Sequence, residues 1–335
     1  MRIGNRDINL CKPSYIIAEI GVNHEGDFDV CKKMISKASK SGADAVKLQT
    51  FDPTQHYLPG TESYKVYANT SFSNNQIEQI FKYAQDLQID IFSTCGDIKT
   101  IDFINKLDPV AFKISSGMIE NYPIIKHLIK TDKPLIFSTG MSTYKEIDVV
   151  MKLIKKENRA NVALMHCISL YPAPKSKINL LCIKTLKEKY KIDVGFSDHS
   201  LGPYASELAV AMGARIIEKH FTLDNKRDSF DHKISLTPKT FSAFVKKIRN
   251  VEVTLGDGEK KISNEEGLNA LKYKRYIVAN KMIKAGKLIS LDDISLMRVE
   301  NSKDGLSASY LERVHGKKPK RDIKKFQLIK KADIS

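Results

Sequence analysis

His199 and His220 each close an apolar, strand-like segment, IDVGFSD (192–198) and ARIIEKH (214–220). If the two segments pair in parallel, the strands lie about 4.8 Å apart and the imidazoles can converge on one ion. Imidazole suits Mn, Fe, Co or Zn better than Ca. Two protein ligands leave positions open for water or substrate, as a catalytic metal requires. Asp198, Glu218 and Glu19 fall at the same rim. That weighs against a pair of hydrogen-bonded core histidines. Glu19 is suited to proton transfer or to orienting a metal ligand. Lys47, Lys113 and Lys219 also lie at or near strand ends, with Ser93, Thr94, Ser116 and Ser197 among them. Lysines with several hydroxyls suit a phosphate or carboxylate. A lysine in a barrel mouth can instead form a Schiff base, for which Lys113 is the candidate. Lys219 is equally suited to an outward ion pair. Cys95 and Cys167 read as structural. Nucleotide-binding glycine motifs are absent, and His24-Glu25 runs into Gly-Asp rather than a metalloprotease HExxH.

The elements that must position these groups are short apolar runs bounded by turn residues. Eight occur, at 14–20, 44–49, 89–94, 110–115, 134–139, 161–167, 192–198 and 214–220. Such runs are the mark of buried parallel strands. Between them lie helical faces such as Ile101-Phe103-Ile104-Leu107 and Ile147-Val150-Met151-Ile154. Eight alternating units in this length predict an α/β protein with a closed (β/α)8 TIM barrel. Chemistry in such barrels lies at the C-terminal strand ends, where the polar residues above collect. A last helix is expected from Thr237 to about Val253, with Phe241, Phe244, Val245 and Ile248 facing the core. The chain then divides: a barrel domain over 1–258, a charged linker over 259–274 and a small β-rich domain over 275–335.

The chain has 335 residues, 55 Lys and Arg against 39 Asp and Glu, and a formal charge of +16. Residues 259–335 carry 19 of the basic and 10 of the acidic groups. The basic run 317–325 lacks interleaved aromatics and any helix-turn-helix or zinc-finger pattern, so nucleic acid is not the expected partner. A field that draws in a multiply charged anion is the functional reading of that charge, and a solvated basic face the plain one. Five cysteines with no CxxC pair predict reduced thiols in the cytoplasm. No apolar run approaches a membrane span and no signal peptide is expected.

The chain resembles the sialic acid synthase family. The resemblance rests on IIAEIGVNHEGD (16–27), GADAVKLQTF (42–51), AFKISSG (111–117), STGMST (138–143), LMHCISLYPAP (164–174), VGFSDHSLG (194–202) and IEKHFTLD (217–224). ANKMIKAGKLISLDDISLMRV (279–299) looks like the family's C-terminal antifreeze-like (SAF) domain. The resemblance implies condensation of phosphoenolpyruvate with N-acetylmannosamine or a related acetamido-hexose. The product would be a nine-carbon 2-keto-3-deoxy acid for a surface glycan: N-acetylneuraminate, or a legionaminate or pseudaminate made from a 6-deoxy diacetamido sugar. It implies His199 and His220 as ligands of a divalent metal, usually manganese, with magnesium or cobalt possible. Lys47, Thr94, Lys113, Ser116 and Ser197 match phosphoenolpyruvate-binding positions, and Glu19 a catalytic carboxylate. Gln49, Tyr171 and Asp231 match positions near the sugar. Arg298 matches an arginine that one subunit's small domain inserts into its partner's site, which implies a homodimer. Departures from the pattern are Met118 for an acidic residue, Ser169 for Asn, Cys95-Gly96 for Pro-Phe, Ser229-Phe230 for a Gly-Pro-like pair and Val299 for Pro. Most fall on the sugar side. The rival readings are a metal-free Schiff-base pyruvate aldolase using Lys113 and a non-catalytic basic binding protein.

Overall fold

The structure, a computed structural model, describes every residue except Leu10, Asn301 and Lys303. It contains two compact units, Met1–Asp257 and Gly258–Ser335. In the first, eight parallel strands close into a barrel: β1 (Tyr15–Gly21), β2 (Ala45–Thr50), β3 (Asp90–Cys95), β4 (Phe112–Ile114), β5 (Leu135–Ser138), β6 (Val162–Cys167), β7 (Asp193–Asp198) and β8 (Ile216–His220). Each strand falls within, or within one residue of, an apolar run named above. Eight helices pack outside: α1 (Phe28–Lys40), α2 (Asn74–Asp86), α3 (Ile98–Lys106), α4 (Tyr122–Ile129), α5 (Tyr144–Lys156), α6 (Cys182–Tyr190), α7 (Tyr204–Ala211) and α8 (Pro238–Leu255). Helix α8 buries Phe241, Phe244, Val245 and Ile248, the face its 3.6-residue period requires.

Successive strand residues point to opposite faces, and this alternation builds the site. On β1, Ile16, Ala18 and Ile20 face the helices, whereas Tyr15 and Ile17 enter the barrel. The inner positions form an apolar plug low in the barrel: Tyr15, Ile17, Ala45, Phe92, Ala111, Ile136, Ala163, Met165 and Ile216. Two residues further along the same inward rows stand Glu19, Lys47, Thr94, Lys113, Ser138, Cys167 and Glu218. Strand register keeps them level, with Glu19 opposite both Lys47 and His220, and Thr94 opposite Lys113. Closure is tight beside Gly195, where a Cβ would lie 2.5 Å from the Ile216 carbonyl oxygen, so no side chain fits. An N-terminal hairpin, Arg2–Ile3 against Arg6–Asp7, adds Ile3 and Ile8 to the plug. It is too short for a period to mark it in the sequence.

In the second unit, residues expected within a charged linker form helix α9 (Asn264–Tyr273). Ser263 caps it by accepting from Glu266 N at 3.1 Å, and Glu265 and Glu266 face the positive end of its dipole. It buries no residue, so no apolar period announces it. Strands β9 (Arg275–Ala279) and β10 (Ile294–Arg298) pair antiparallel. Ile277, Ile283, Ile289, Val314, Ile323 and Ile329 are among the residues of their small core. No helix among the described residues is long and apolar enough to cross a membrane.

Candidate active site

The inward rows end in a cavity of about 440 Å³ at the C-terminal mouth of the barrel. Its floor is a set of buried charges. Glu218 Oε1 accepts from Lys113 Nζ at 3.2 Å and from Ser197 Oγ at 3.0 Å. Lys47 Nζ lies 2.8 Å from Glu19 Oε2 and donates to Thr94 Oγ1 at 3.2 Å, with Glu218 Oε2 at 3.9 Å. Two ammonium groups therefore face two carboxylates away from bulk water, so that each buried charge has a counter-charge. Burial opposes the charge on Lys47, but Glu19 and Glu218 outweigh it and hold its pKa above the ordinary value. For Lys113 burial wins, against the pull of Glu218 and with help from Lys47, and its pKa is lowered. Glu218 is held well below the usual carboxylate range, because the two lysines overcome the effect of burial.

Hydroxyls surround this floor. Ser116 Oγ accepts from Gly140 N at 3.1 Å, and a Cβ at residue 140 would stand 2.4 Å from Ser169 Oγ and 2.7 Å from Ser116 Oγ, so a side chain there would displace both hydroxyls. Ser138 Oγ is buried with no hydrogen-bond partner. An orphan buried hydroxyl is costly unless a ligand meets it. Ser138 was not singled out as a site residue, yet its step of two from the plug residue Ile136 marks it as inward. Glu218 was expected only as a neighbour of the histidines, and the structure makes it the hub of the floor. Lys219, one residue on, points the other way: it is fully buried against Asp198 at 3.1 Å. The choice between mouth and outward ion pair is settled for the latter.

His199 and His220 come together as their strands require, with ring centroids 5.5 Å apart. His199 Nδ1 donates to the Ile168 carbonyl at 2.8 Å, which leaves Nε2 as the electron-pair donor. His220 Nδ1 is buried without a hydrogen-bond partner, 3.5 Å from Asp231 Oδ2. Two imidazoles, one fixed by a backbone carbonyl and one with an unsatisfied nitrogen, fit a metal ion. Among the described residues no cluster of three or more His, Cys, Asp and Glu is arranged to hold a metal ion. Tyr171 lies 4.1 Å from the His199 ring.

On the other side, Gln49 Nε2 donates to Glu19 Oε1 at 2.8 Å, and Tyr67 OH donates to Gln49 Oε1 at 2.6 Å. Phe51, His56, Tyr57 and Tyr67 come from the excursion between β2 and α2, where a short helix, Glu62–Thr70, buries only Thr70 and so shows no apolar stripe. Met118 and Ser169 also line the cavity. Arg298 belongs to the second unit, where it is exposed at the end of β10 with its guanidinium 5.6 Å from the Tyr273 ring centre.

Buried lysines, carboxylates and hydroxyls beside a two-histidine pair, at the C-terminal face of a closed barrel, mark the candidate active site of a TIM-barrel protein. Comparison with known proteins narrows that class. Residues 34–260 match the NeuB family and residues 274–335 the SAF domain. The chain belongs to the NeuB family. It is 37% identical over 335 positions to an N,N'-diacetyllegionaminic acid synthase of Campylobacter jejuni, covering 95% of this chain and 99% of that protein. A pseudaminic acid synthase of the same species is 35% identical over 348 positions, with both chains fully covered. The crystal structure of an N-acetylneuraminic acid (sialic acid) synthetase from Leptospira borgpetersenii, in complex with citrate, superposes with a TM-score of 0.77 at 30% identity. It covers 80% of this chain and 94% of that one.

Proposed function

We propose that this chain condenses phosphoenolpyruvate with an acetamido-hexose and water, giving a nine-carbon 2-keto-3-deoxy sugar acid and phosphate. The observation that carries the reading is the floor: Lys47 and Lys113, with Ser197 and the unpartnered Ser138, beside His199 and His220. These groups suit a substrate with a phosphate and a carboxylate. C3 of phosphoenolpyruvate attacks the open-chain aldehyde carbon, water adds at C2, and the tetrahedral intermediate expels phosphate by C–O cleavage. Lys47 and Lys113 stabilise the anionic groups in a site closed to bulk water, where fixed charges act most strongly. Glu19, held by Lys47 and Gln49, would take the proton from the adding water. His199 and His220 would hold the divalent metal, which polarises the aldehyde oxygen when bound. All five cysteines are free, as a reducing compartment would keep them, and we assign the enzyme to the cytoplasm. The homodimer implied by Arg298 is part of the same reading.

The test is phosphate release from phosphoenolpyruvate with N-acetylmannosamine or a 6-deoxy diacetamido hexose, with Mn²⁺ or with EDTA. Release that needs both sugar and metal supports the reading. No release with any sugar, together with a borohydride-trapped pyruvate adduct, would replace it with the aldolase. Lys113 stands on an inward row at the barrel mouth, where a Schiff-base lysine would also stand, and this makes that control necessary.

A further inference from the structure

The chemistry proposed above leaves a fully buried ion pair unused. Asp198 and Lys219 lie on the side of the sheet away from the cavity, where Lys219 is level with the helix-facing Ala18. Lys219 Nζ stands 3.1 Å from Asp198 Oδ2. Asp198 Oδ1 accepts from Ser200 N at 2.8 Å and from Ser200 Oγ at 2.6 Å, and Oδ2 accepts from Ser206 Oγ at 2.6 Å. Lys219 Nζ also donates to the Ser200 carbonyl. Ser206 belongs to α7, so the cluster joins β7, β8 and the helix between them. A buried ion pair is weak evidence of stability, because desolvating two charges offsets much of their attraction. Two apolar side chains would fill this space without that penalty. They would not hold Ser200 by both its N–H and its C=O.

The place of the pair in the sheet says what that grip does. Asp198 precedes His199, and Lys219 precedes His220. Asp198 and Lys219 are register partners, and the ladder between β7 and β8 ends on their rung. One residue further on, the two imidazoles stand with ring centroids 5.5 Å apart. His220 is still paired with Glu19 on β1, so its strand is fixed from the other side. His199 lies beyond the end of β7, with no ladder to place it. Its surroundings do so instead. Asp198 and Ser200 are tied to Lys219, the Ala173 N–H donates to the His199 carbonyl at 2.9 Å, and the Ile168 carbonyl accepts from Nδ1. Of these contacts, those to Lys219 run to the strand that carries His220.

We propose that Asp198 and Lys219 are positioning residues for the metal pair. Their ion pair, with Ser200 clamped between them, sets the separation of His199 and His220 from behind the sheet, and so the affinity of the two imidazoles for a divalent cation. A ligand pair whose spacing is fixed beforehand loses no binding free energy to ordering a loop. The inference rests on the reading of His199 and His220 as the metal ligands.

The experiment is a titration of the metal-free full-length chain with Mn²⁺, free Mn²⁺ being read by electron paramagnetic resonance, beside denaturant unfolding of each variant. Lys219→Met keeps the stem and removes the ammonium. Asp198→Asn combined with Lys219→Met removes both charges, so none is left buried and unpaired. Ser206→Ala loosens Asp198 and keeps the pair. Ile248→Ala, a core truncation on α8, lowers stability without touching the cluster. The dissociation constant for Mn²⁺ should rise about tenfold in Lys219→Met and in the double variant, the low end for residues that orient a metal ligand from outside its coordination sphere. It should rise about threefold in Ser206→Ala, where one hydrogen bond of the cluster is lost, and stay within about twofold in Ile248→Ala. The double variant separates positioning from stability: its unfolding midpoint should lie above that of Lys219→Met while its Mn²⁺ affinity stays low. Unmoved affinity in the double variant, or an equal weakening in Ile248→Ala, overturns the proposal. If neither charge variant folds, Ser206→Ala decides by the same measure, and an unmoved dissociation constant there overturns it. If the unaltered chain binds no Mn²⁺, the two-histidine reading itself falls, and the two failures are thereby told apart.

Discussion

Lys113 on β4 and Glu218 on β8 form an ion pair across the barrel, Nζ to Oε1 3.2 Å, although their strands stand four places apart in the ring. The pair spans the diameter of the mouth and joins two strands that share no backbone hydrogen bonds. Lys47 lies 3.9 Å from the same carboxylate, so Glu218 balances both cations on which substrate binding would depend.

Glu218→Gln should therefore destabilise the fold as well as the site. It leaves buried ammonium groups short of a counter-charge, a change that costs about 3 kcal/mol when one partner of a buried pair is lost. Denaturant unfolding measures it. A change within about 0.5 kcal/mol would show that water or Glu19 already compensates.

Lys113→Met removes one of the two cations on the floor. Phosphate release should fall by at least about 10²-fold, as expected when a preorganised charge is deleted from a closed site. Borohydride with pyruvate should label neither this variant nor the unaltered chain. Labelling that disappears in Lys113→Met would mean that the lysine acts as a nucleophile.

His220→Ala should abolish tight metal retention. Protein dialysed against Mn²⁺ and analysed by elemental spectrometry should carry less than one ion per chain in the variant, and added Mn²⁺ should not restore phosphate release. Equal metal content in variant and unaltered chain would place the ion elsewhere.

His24 predicts a pH effect outside the chemistry. It is buried and stacked on Phe72 at 4.4 Å, and its Nδ1 accepts from Gly26 N at 3.0 Å. Burial lowers its pKa from 6.5 to about 4, against the opposing pull of Asp27 and Glu25. Between those two values the unfolded chain binds a proton that the folded chain refuses, so stability falls as pH drops from 6.5 towards 4 and this contribution levels off below. The full effect is about 3 kcal/mol. Unfolding midpoints measured across that range should slope less in His24→Gln, which keeps an acceptor but does not titrate. Equal slopes would remove His24 as the cause.

Much of the site was legible because a closed barrel obeys two simple periods. A parallel strand covered on both faces needs an unbroken apolar run, which marks all eight strands. Residues two apart share a face, so the inward row that begins with Tyr15 and Ile17 must continue to Glu19, and the row through Ala45 to Lys47. The histidine pair followed from the same geometry, since consecutive strands end side by side.

Other features had no such period. Helix α9 buries nothing, the N-terminal hairpin is two residues per strand, and the His56 segment has a single turn of helix. Glu218 and Lys219 are neighbours with opposite fates, and the sequence does not say which of them faces inward until the register against β1 and β7 is known. The order of groups along each strand was fixed locally, by the alternation of the backbone. Their distances around the ring, Lys113 to Glu218 and Asp198 to Lys219, were decided by barrel closure and by the register of neighbouring strands. Those contacts join residues far apart in the chain, where no local spacing records them.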